Sequence, residues 1–343
     1  MDRSEFGRLL SSNVIHSGSS KSEILETIRL INEALDTMMP RSLFRYRSGK
    51  DDYQIEAFEQ DKIYAVPPEW CNDPYDTLPR CDYDRIRRQL ETAFSPEWLE
   101  QLKRSLSEGK DFPDDLKRLF PENFRVGLKE RILKVSDFRE IKEDLAKRKD
   151  DYCLMIKHLY PELILYLKRF CTIACFSEDV KSMLMWSHYA NDHKGFALEY
   201  DFSLSIDNLI DNPLGKWLFP VIYSDERYDA TSLITWAFLE KLGLDCGIQD
   251  VYGIAKMALY KSKVWEYEKE WRIIDLSMND IKKPIATTIV RRPVGIYYGT
   301  RIEDEKLEKL HKIAVAKGIK EFKMVVDSAS KSYEMQYFPA VFD

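Results

Sequence analysis

Apolar residues recur every three to four positions in "KSEILETIRLINEAL", which sets Ile24, Ile28, Ile31 and Leu35 on one side of a predicted helix. Residues 1 to 40 read as helical, and Pro40 closes the segment. The pattern then shortens. "SLFRYRS" and "KIYAVP" predict strands on either side of a helical turn, "YQIEAFEQD". "PPEWCNDPYDTLPR" carries Pro67, Pro68, Pro74 and Pro79 and predicts a loop. From about 82 to 170 the pattern is charged and helical, as in "YDRIRRQLETAF", "PEWLEQLKRSL", "DFREIKEDLAKRKDDYCLMIKHLY" and "PELILYLKRF", punctuated by Pro96, Pro113, Pro121 and Pro161. That stretch predicts an inserted cap of solvated helices.

Short strands return after it. "FCTIACFSE", "FALEYDF", "FPVIYSD", "VGIYYG" and "IKEFKMVVD" have strand character. "DVKSMLMWSHYANDH", stopped by Gly195, predicts an amphipathic helix with Met185, Trp186 and Tyr189 toward one side. "ITWAFLEKLGL", "DVYGIAKMALYK" and "RIEDEKLEKLHKIAVAKG", the last ended by Gly318, predict further helices. The chain therefore divides into a helical segment (1–40), the first part of an α+β core (41–81), the insertion (82–170) and the remainder of the core (171–343).

One stretch combines pattern with chemistry. In "KVWEYEKEWRIID" an extended strand would set Glu266, Glu268, Glu270 and Arg272 on one face, and Trp265, Tyr267, Trp271 and Ile273 on the other. Same-face neighbours lie roughly 7 Å apart, so three carboxylates in a row repel, which a purely structural strand would avoid. A helix would instead stack Glu266 on Glu270 and pair Glu268 with Arg272. The β-branched and aromatic content from Val264 to Ile274, and the turn chemistry from Asp275 to Asn279, favour the strand.

Composition narrows the class. With 343 residues and 44% hydrophobic content the chain can bury a sizeable core, and its net charge of −6 argues against bulk electrostatic binding of nucleic acid while permitting a local basic groove. The N-terminal "MDRSEFGRLLSSN" lacks the apolar run of a secretion signal. The most apolar long stretch, around residues 152 to 176, is interrupted by charge and Pro161, which excludes a membrane span. Six cysteines are too few for a disulfide scaffold, so a cytoplasmic setting is expected. Cys171 and Cys175 with His188 and His193 depart from usual zinc spacing. They read as core cysteines, and no metal is expected.

"LFRYR", "WCNDPYD", "CFSE…MWSHYA…KGFALEYD" and "WEYEKEWRI" together resemble a bacterial family of unknown function marked by Asn-Asp-Pro, a Trp-x-x-Tyr-Ala helix and a Tyr-Glu-x-Glu-x-Arg strand. More distantly, their order resembles the Arg-Ser-Glu arrangement of the ADP-ribosyltransferase superfamily. That resemblance implies a split mixed or antiparallel sheet with NAD as co-substrate. It implies Glu270 beside a ribose becoming cationic, Glu268 as a base toward the acceptor, and Ser177 on the middle motif strand. Arg45 and Arg47 would hold the pyrophosphate. Trp186 or Tyr189 would stack on the nicotinamide ring, with His188, Asn72 and Asp73 nearby. The acceptor, protein or nucleic acid, stays open, as does oligomeric state; a toxin or defence effector is one expectation.

Plainer readings stand beside it. The glutamates would serve equally as a charged strand edge, and the aromatics as core. Asn72 and Asp73 before Pro74 make an ordinary turn. Asp73, Glu178, Asp179, Glu268 and Glu270 could instead ligate a divalent ion in a nuclease or phosphoesterase. A non-enzymatic module would present the charged helices to a partner.

Overall fold

The computed structural model describes residues 1–15, 19–93, 96–112, 122–135, 138–139, 143, 149–202, 217–241, 250, 252–276, 286–329, 331 and 333–342. The basic stretch at 145–148, the end of "ITWAFLEKLGL" and the turn expected at 277–279 lie outside them.

The N-terminal pattern resolves into two helices, Arg3–Ser12 and Lys21–Met38. Each starts with a capping box, Asp2 with Glu5 and Ser20 with Glu23, which satisfies backbone N–H groups that the first helical turn leaves unpaired. Strands follow as β1 (Ser42–Arg47), β2 (Lys62–Ala65), β3 (Thr172–Ser177), β4 (Phe196–Asp201), β5 (Trp217–Pro220), β6 (Ile222–Ser224), β7 (Tyr260–Ser262), β8 (Glu270–Asp275), β9 (Thr287–Val290), β10 (Gly295–Tyr298), β11 (Lys320–Val326) and β12 (Met335–Pro339). Eight of these form one mixed, mostly antiparallel sheet in the order β12-β11-β10-β4-β1-β3-β8-β5. The parallel pair, β10 with β11, is bridged by the Asp304–Lys317 helix. β9 and β12 did not stand out in the sequence pattern, and β7 begins inside "DVYGIAKMALYK", a stretch expected to be helical whose described helix is Gly253–Met257.

Between β1 and β3 the sheet opens. Among the described residues their register is a single pair, Phe44 opposite Ser177, whereas β3 and β8 pair along their whole length from Thr172–Asp275 to Ser177–Glu270. Past Phe44 the edge of β3 bonds instead to Val66, just beyond β2. Gly195 permits the tight end of β1: a Cβ there would lie 2.1 Å from the Arg47 carbonyl oxygen.

The main core has Leu43, Ile173, Leu198, Trp271 and Ile296 among its buried members, while Phe44, Tyr46, Ala197 and Tyr297, on the other face of β1, β4 and β10, pack with Trp186 in a separate cluster. The insertion is not a solvated cap. Its helices Tyr83–Ala93, Pro96–Ser107, Glu122–Lys134 and Lys149–Lys168 bury Ile86, Leu99, Ile132, Ile156 and Leu163 in a second core that also takes Ile234 and Phe238 from the Thr231–Lys241 helix. Charged faces point out while an apolar residue every three or four positions points in. Among the described residues no helix is long and apolar enough to cross a membrane.

Candidate functional site

The glutamate row is not one strand. Lys263–Glu268 forms a 3₁₀ helix, Lys269 turns left-handed at φ 45°, and the strand begins only at Glu270. The left-handed residue breaks the alternation, so Glu266 is exposed while Glu268 and Glu270 are buried and line one cleft. Backbone bonds fix this kink. The Ser177 hydroxyl donates to the Glu268 carbonyl at 2.6 Å, and the Glu270 N–H donates to the Tyr223 hydroxyl at 2.8 Å. Arg3, arriving from the N-terminal helix, donates to the Glu270 carbonyl at 2.6 Å.

Buried carboxylates need cations, and the fold supplies two. Lys261 Nζ lies 2.5 Å from Glu268 and 2.9 Å from Glu270. Arg272 donates to Glu270 Oε1 at 2.8 Å and grips Asp76 through both oxygens. Asp76, Glu268 and Glu270 against Lys261 and Arg272 leave a cluster of three carboxylates and two cations. Burial pushes the Glu270 carboxyl up, but Arg272 and Lys261 outweigh it and hold it well below the usual carboxylate range. Glu268 goes the other way: burial first, then the Glu270 charge, raises it, with Lys261 and Tyr189 pulling part of the way back.

Both glutamates open on a cleft of roughly 420 Å³, within the span of small-molecule sites. It lies at the gap between β1 and β3, and Arg45 and Arg47 line it as well. Strand alternation puts both arginines on the sheet face opposite Glu270, and the gap is what lets both sets share one cleft. Arg45 is only 8% exposed. Its Nη2 donates to the Tyr64 carbonyl at 2.7 Å, whereas Nη1 is buried with no hydrogen-bond partner. Burial, and then Arg47 beside it, push Arg45 down to about 9, which still leaves it charged at neutral pH. Burial lowers Arg47 likewise, and among the described residues neither arginine has a carboxylate partner.

The other expected site residues divide. Tyr189 donates to Glu268 Oε1 at 2.6 Å, and Asn72 reaches the Tyr189 hydroxyl at 3.4 Å, so both border the carboxylates. His188 is exposed on the cleft wall. Trp186 is not a ring platform: it is fully buried on the Met183–Tyr189 helix, with its indole N–H on the Val180 carbonyl and its ring edge-on to Tyr46. Asp73 accepts from the Tyr75 N–H in a local turn and lies outside the cleft lining. Ser177 is completely buried and spends its hydroxyl on backbone, so it positions Glu268.

Sequence reasoning missed Lys261, Asp76 and Trp70. The cleft-lining Trp70 is 55% exposed, which for a tryptophan is unusual enough to mark the loop. Of the five carboxylates of the metal reading, Glu268 and Glu270 converge and the other three do not. Glu178 pairs with Arg3 at 2.6 Å, Asp179 with Lys269 at 3.1 Å, and Asp73 serves its turn. Among the described residues no group of three or more His, Cys, Asp or Glu side chains could hold an ion. Cys171 is core, as expected, and Cys175 lines the cleft.

A family model described as a protein of unknown function, DUF2971, matches residues 185–273. The matched stretch includes Tyr189, Lys261, Glu268, Glu270 and Arg272, and leaves out Arg45, Asp76 and Ser177. No curated protein and no solved structure matches the chain.

Proposed function

We propose that the cleft binds NAD and breaks the bond between nicotinamide and ribose, passing ADP-ribose to an acceptor. The observation that carries this reading is the Arg45 guanidinium, buried and short of a partner at Nη1, in the cleft that holds the glutamate pair. A buried donor without an acceptor costs free energy unless a ligand supplies one. A pyrophosphate between Arg45 and Arg47 would do so bidentately. The strand order adds support, since the strands of Arg45, Ser177 and Glu270 are neighbours as β1-β3-β8, the adjacency an Arg-Ser-Glu site of ADP-ribosyltransferase type would use.

With the pyrophosphate there, the nicotinamide ribose faces the carboxylate cluster. As the glycosidic bond lengthens, positive charge grows on the ribose and meets a buried cluster with one surplus negative charge. Nicotinamide leaves as a neutral base. Glu268, bonded to Tyr189 and carrying the raised pKa, takes the proton of the incoming nucleophile. Glu270 has a different task from the one its position in the motif implies. Engaged by Arg272 and Lys261, it stays ionised and holds the field. Trp70 on the cleft wall offers an exposed ring for stacking. Such an enzyme working inside a cell on its own NAD would serve as a toxin or defence effector.

The test is nicotinamide release from NAD by the whole protein, with and without cell extract, in wild type and Glu268→Gln, with chelator present. Release that falls by about 100-fold or more in the variant supports the reading. Folded protein that releases none, even with extract, overturns it.

A further inference from the structure

We infer that the acceptor is a single-stranded nucleic acid, held in a trough that meets the glutamate cleft from behind at Lys261; this rests on the NAD reading above. Two further cavities adjoin each other here. One, of roughly 310 Å³, is bordered by Tyr75, Tyr228, Tyr260 and Lys261. The other, of roughly 570 Å³, is bordered by Arg80, Arg85, Asp229 and Lys256. They share Ser224, Glu226, Arg227, Tyr228 and Tyr260, so the trough is two cavities that adjoin along a common border. Lys261 is the wall common to that trough and the NAD cleft, and its ammonium touches Glu268 at 2.5 Å.

The chemistry along the trough selects the class of acceptor. Lys256 is neutralised by Asp250 and Lys263 by Asp225. Arg80 and Arg85, by contrast, share the single carboxylate of Asp229, at 3.2 and 3.3 Å. Arg227 is exposed and makes no ion pair among the described residues, and the acids that line the two cavities are Asp225, Glu226, Asp229 and Asp250. Two guanidinium groups on the Asp229 carboxylate, with the exposed Arg227 on the same cavity, suit phosphate oxygens. Aromatic rings line the same cavities. Tyr228 and Tyr260 lie 5.2 Å apart, and Tyr75 at the trough mouth is 63% exposed. Tyr75 and Trp70 sit on one loop, Tyr75 bordering the trough and Trp70 the NAD cleft, so one segment presents an exposed ring to each. Rings that accept any base face, beside arginines that track a backbone, are what an unpaired strand requires. The net charge of −6 makes this a local attraction rather than a global one.

The transfer balances simply. A base nitrogen or a hydroxyl of the strand attacks the ribose carbon as the bond to nicotinamide breaks. The nicotinamide leaves with the bonding pair, and the proton lost by the nucleophile passes to Glu268.

Fluorescence anisotropy of labelled single-stranded DNA and RNA oligonucleotides with the whole protein tests the trough, and radiolabelled NAD tests the transfer. Binding is expected to weaken with salt and to fall about tenfold in Arg227→Glu and in Tyr75→Ala. Both are exposed side chains whose replacement leaves the cores intact. Label from NAD is expected on the oligonucleotide in wild type and not in Glu268→Gln. Absence of salt-sensitive binding, or binding indifferent to both surface substitutions, overturns the trough. Glu268-dependent release of nicotinamide with label only on protein, or on neither polymer, overturns the acceptor while leaving the NAD reading. Binding without any NAD cleavage sinks the NAD reading, and the acceptor role with it.

Discussion

Asp76 holds Arg272 through both carboxylate oxygens, at 2.8 and 2.6 Å, and the two side chains are 3% and 0% exposed. They are 196 positions apart in the chain, so the loop before the insertion is fastened to the strand that carries Glu270. Removing one partner strands a buried charge, at a cost of about 3–5 kcal/mol. Asp76→Ala should therefore lower the unfolding midpoint sharply. A urea titration that leaves the midpoint within error of wild type would show that the pair carries no structural weight.

The two glutamates should separate by what they lose. Glu268→Gln keeps a side chain able to bond Tyr189, and Lys261 retains Glu270, so stability should move by about 1 kcal/mol. Nicotinamide release should nonetheless collapse. Glu270→Gln removes the charge between Arg272 and Lys261 and should cost about 3 kcal/mol or more. Melting and turnover measured on both variants check this. Equal losses of stability would contradict the assignment of Glu270 as the anchored member.

Part of this was legible in the sequence. The strands "SLFRYR", "TIACFS" and "FALEYD" show themselves because their neighbours are turn-formers and their content is β-branched or aromatic. The kink at Lys269 was not, because lysine carries no signal for a left-handed conformation, which glycine or asparagine would have announced. Lys261 and Asp76 escaped for a different reason. Each acts across distance, and no local spacing connects Asp76 in a proline-rich loop to Arg272. One clue existed: glutamates this dense beside buried aromatics require cations, and Lys261 and Arg272 flank them. The insertion misled through its charge, since counting charged residues hides an apolar stripe such as Leu99, Leu102 and Leu106.

The pH behaviour follows from two opposite shifts. Glu270 is depressed below its ordinary 4.5, so its contribution to stability is full above that value and is lost as the pH falls through the lower, folded one. Glu268 is raised, so its contribution is present below 4.5 and is lost as the pH rises through its folded value. Acid should therefore lower the melting temperature of wild type below pH 4.5 more steeply than that of Glu270→Gln. Activity should rise with pH across the folded value of Glu268, because the base must be ionised. A pH–rate profile for NAD cleavage that is flat from pH 4.5 upward would count against Glu268 as that base.

Arg45 offers the sharpest contrast between a structural and a binding role. A structural arginine in a protein interior satisfies its donors on the protein, and replacing it destabilises. Arg45 leaves Nη1 unpaired and lies beside a second cation, so the empty site already bears a desolvation and repulsion cost. Arg45→Met keeps an unbranched aliphatic stem and gives up one bond to the Tyr64 carbonyl and the guanidinium's contact with the Phe176 ring, 5.6 Å from its centroid. The unfolding free energy should then stay within about 1 kcal/mol of wild type or rise above it. Affinity for NAD should fall, since a hydrogen bond to a charged phosphate is worth about 1.5–3 kcal/mol, a factor of about 10 to 150. NAD at 100 times its dissociation constant should raise the stability of wild type by about 2.7 kcal/mol and that of the variant by much less. Thermal melts of both proteins across an NAD series measure the two effects at once. A variant that is strongly destabilised yet responds fully to NAD would place Arg45 in the scaffold and the pyrophosphate elsewhere.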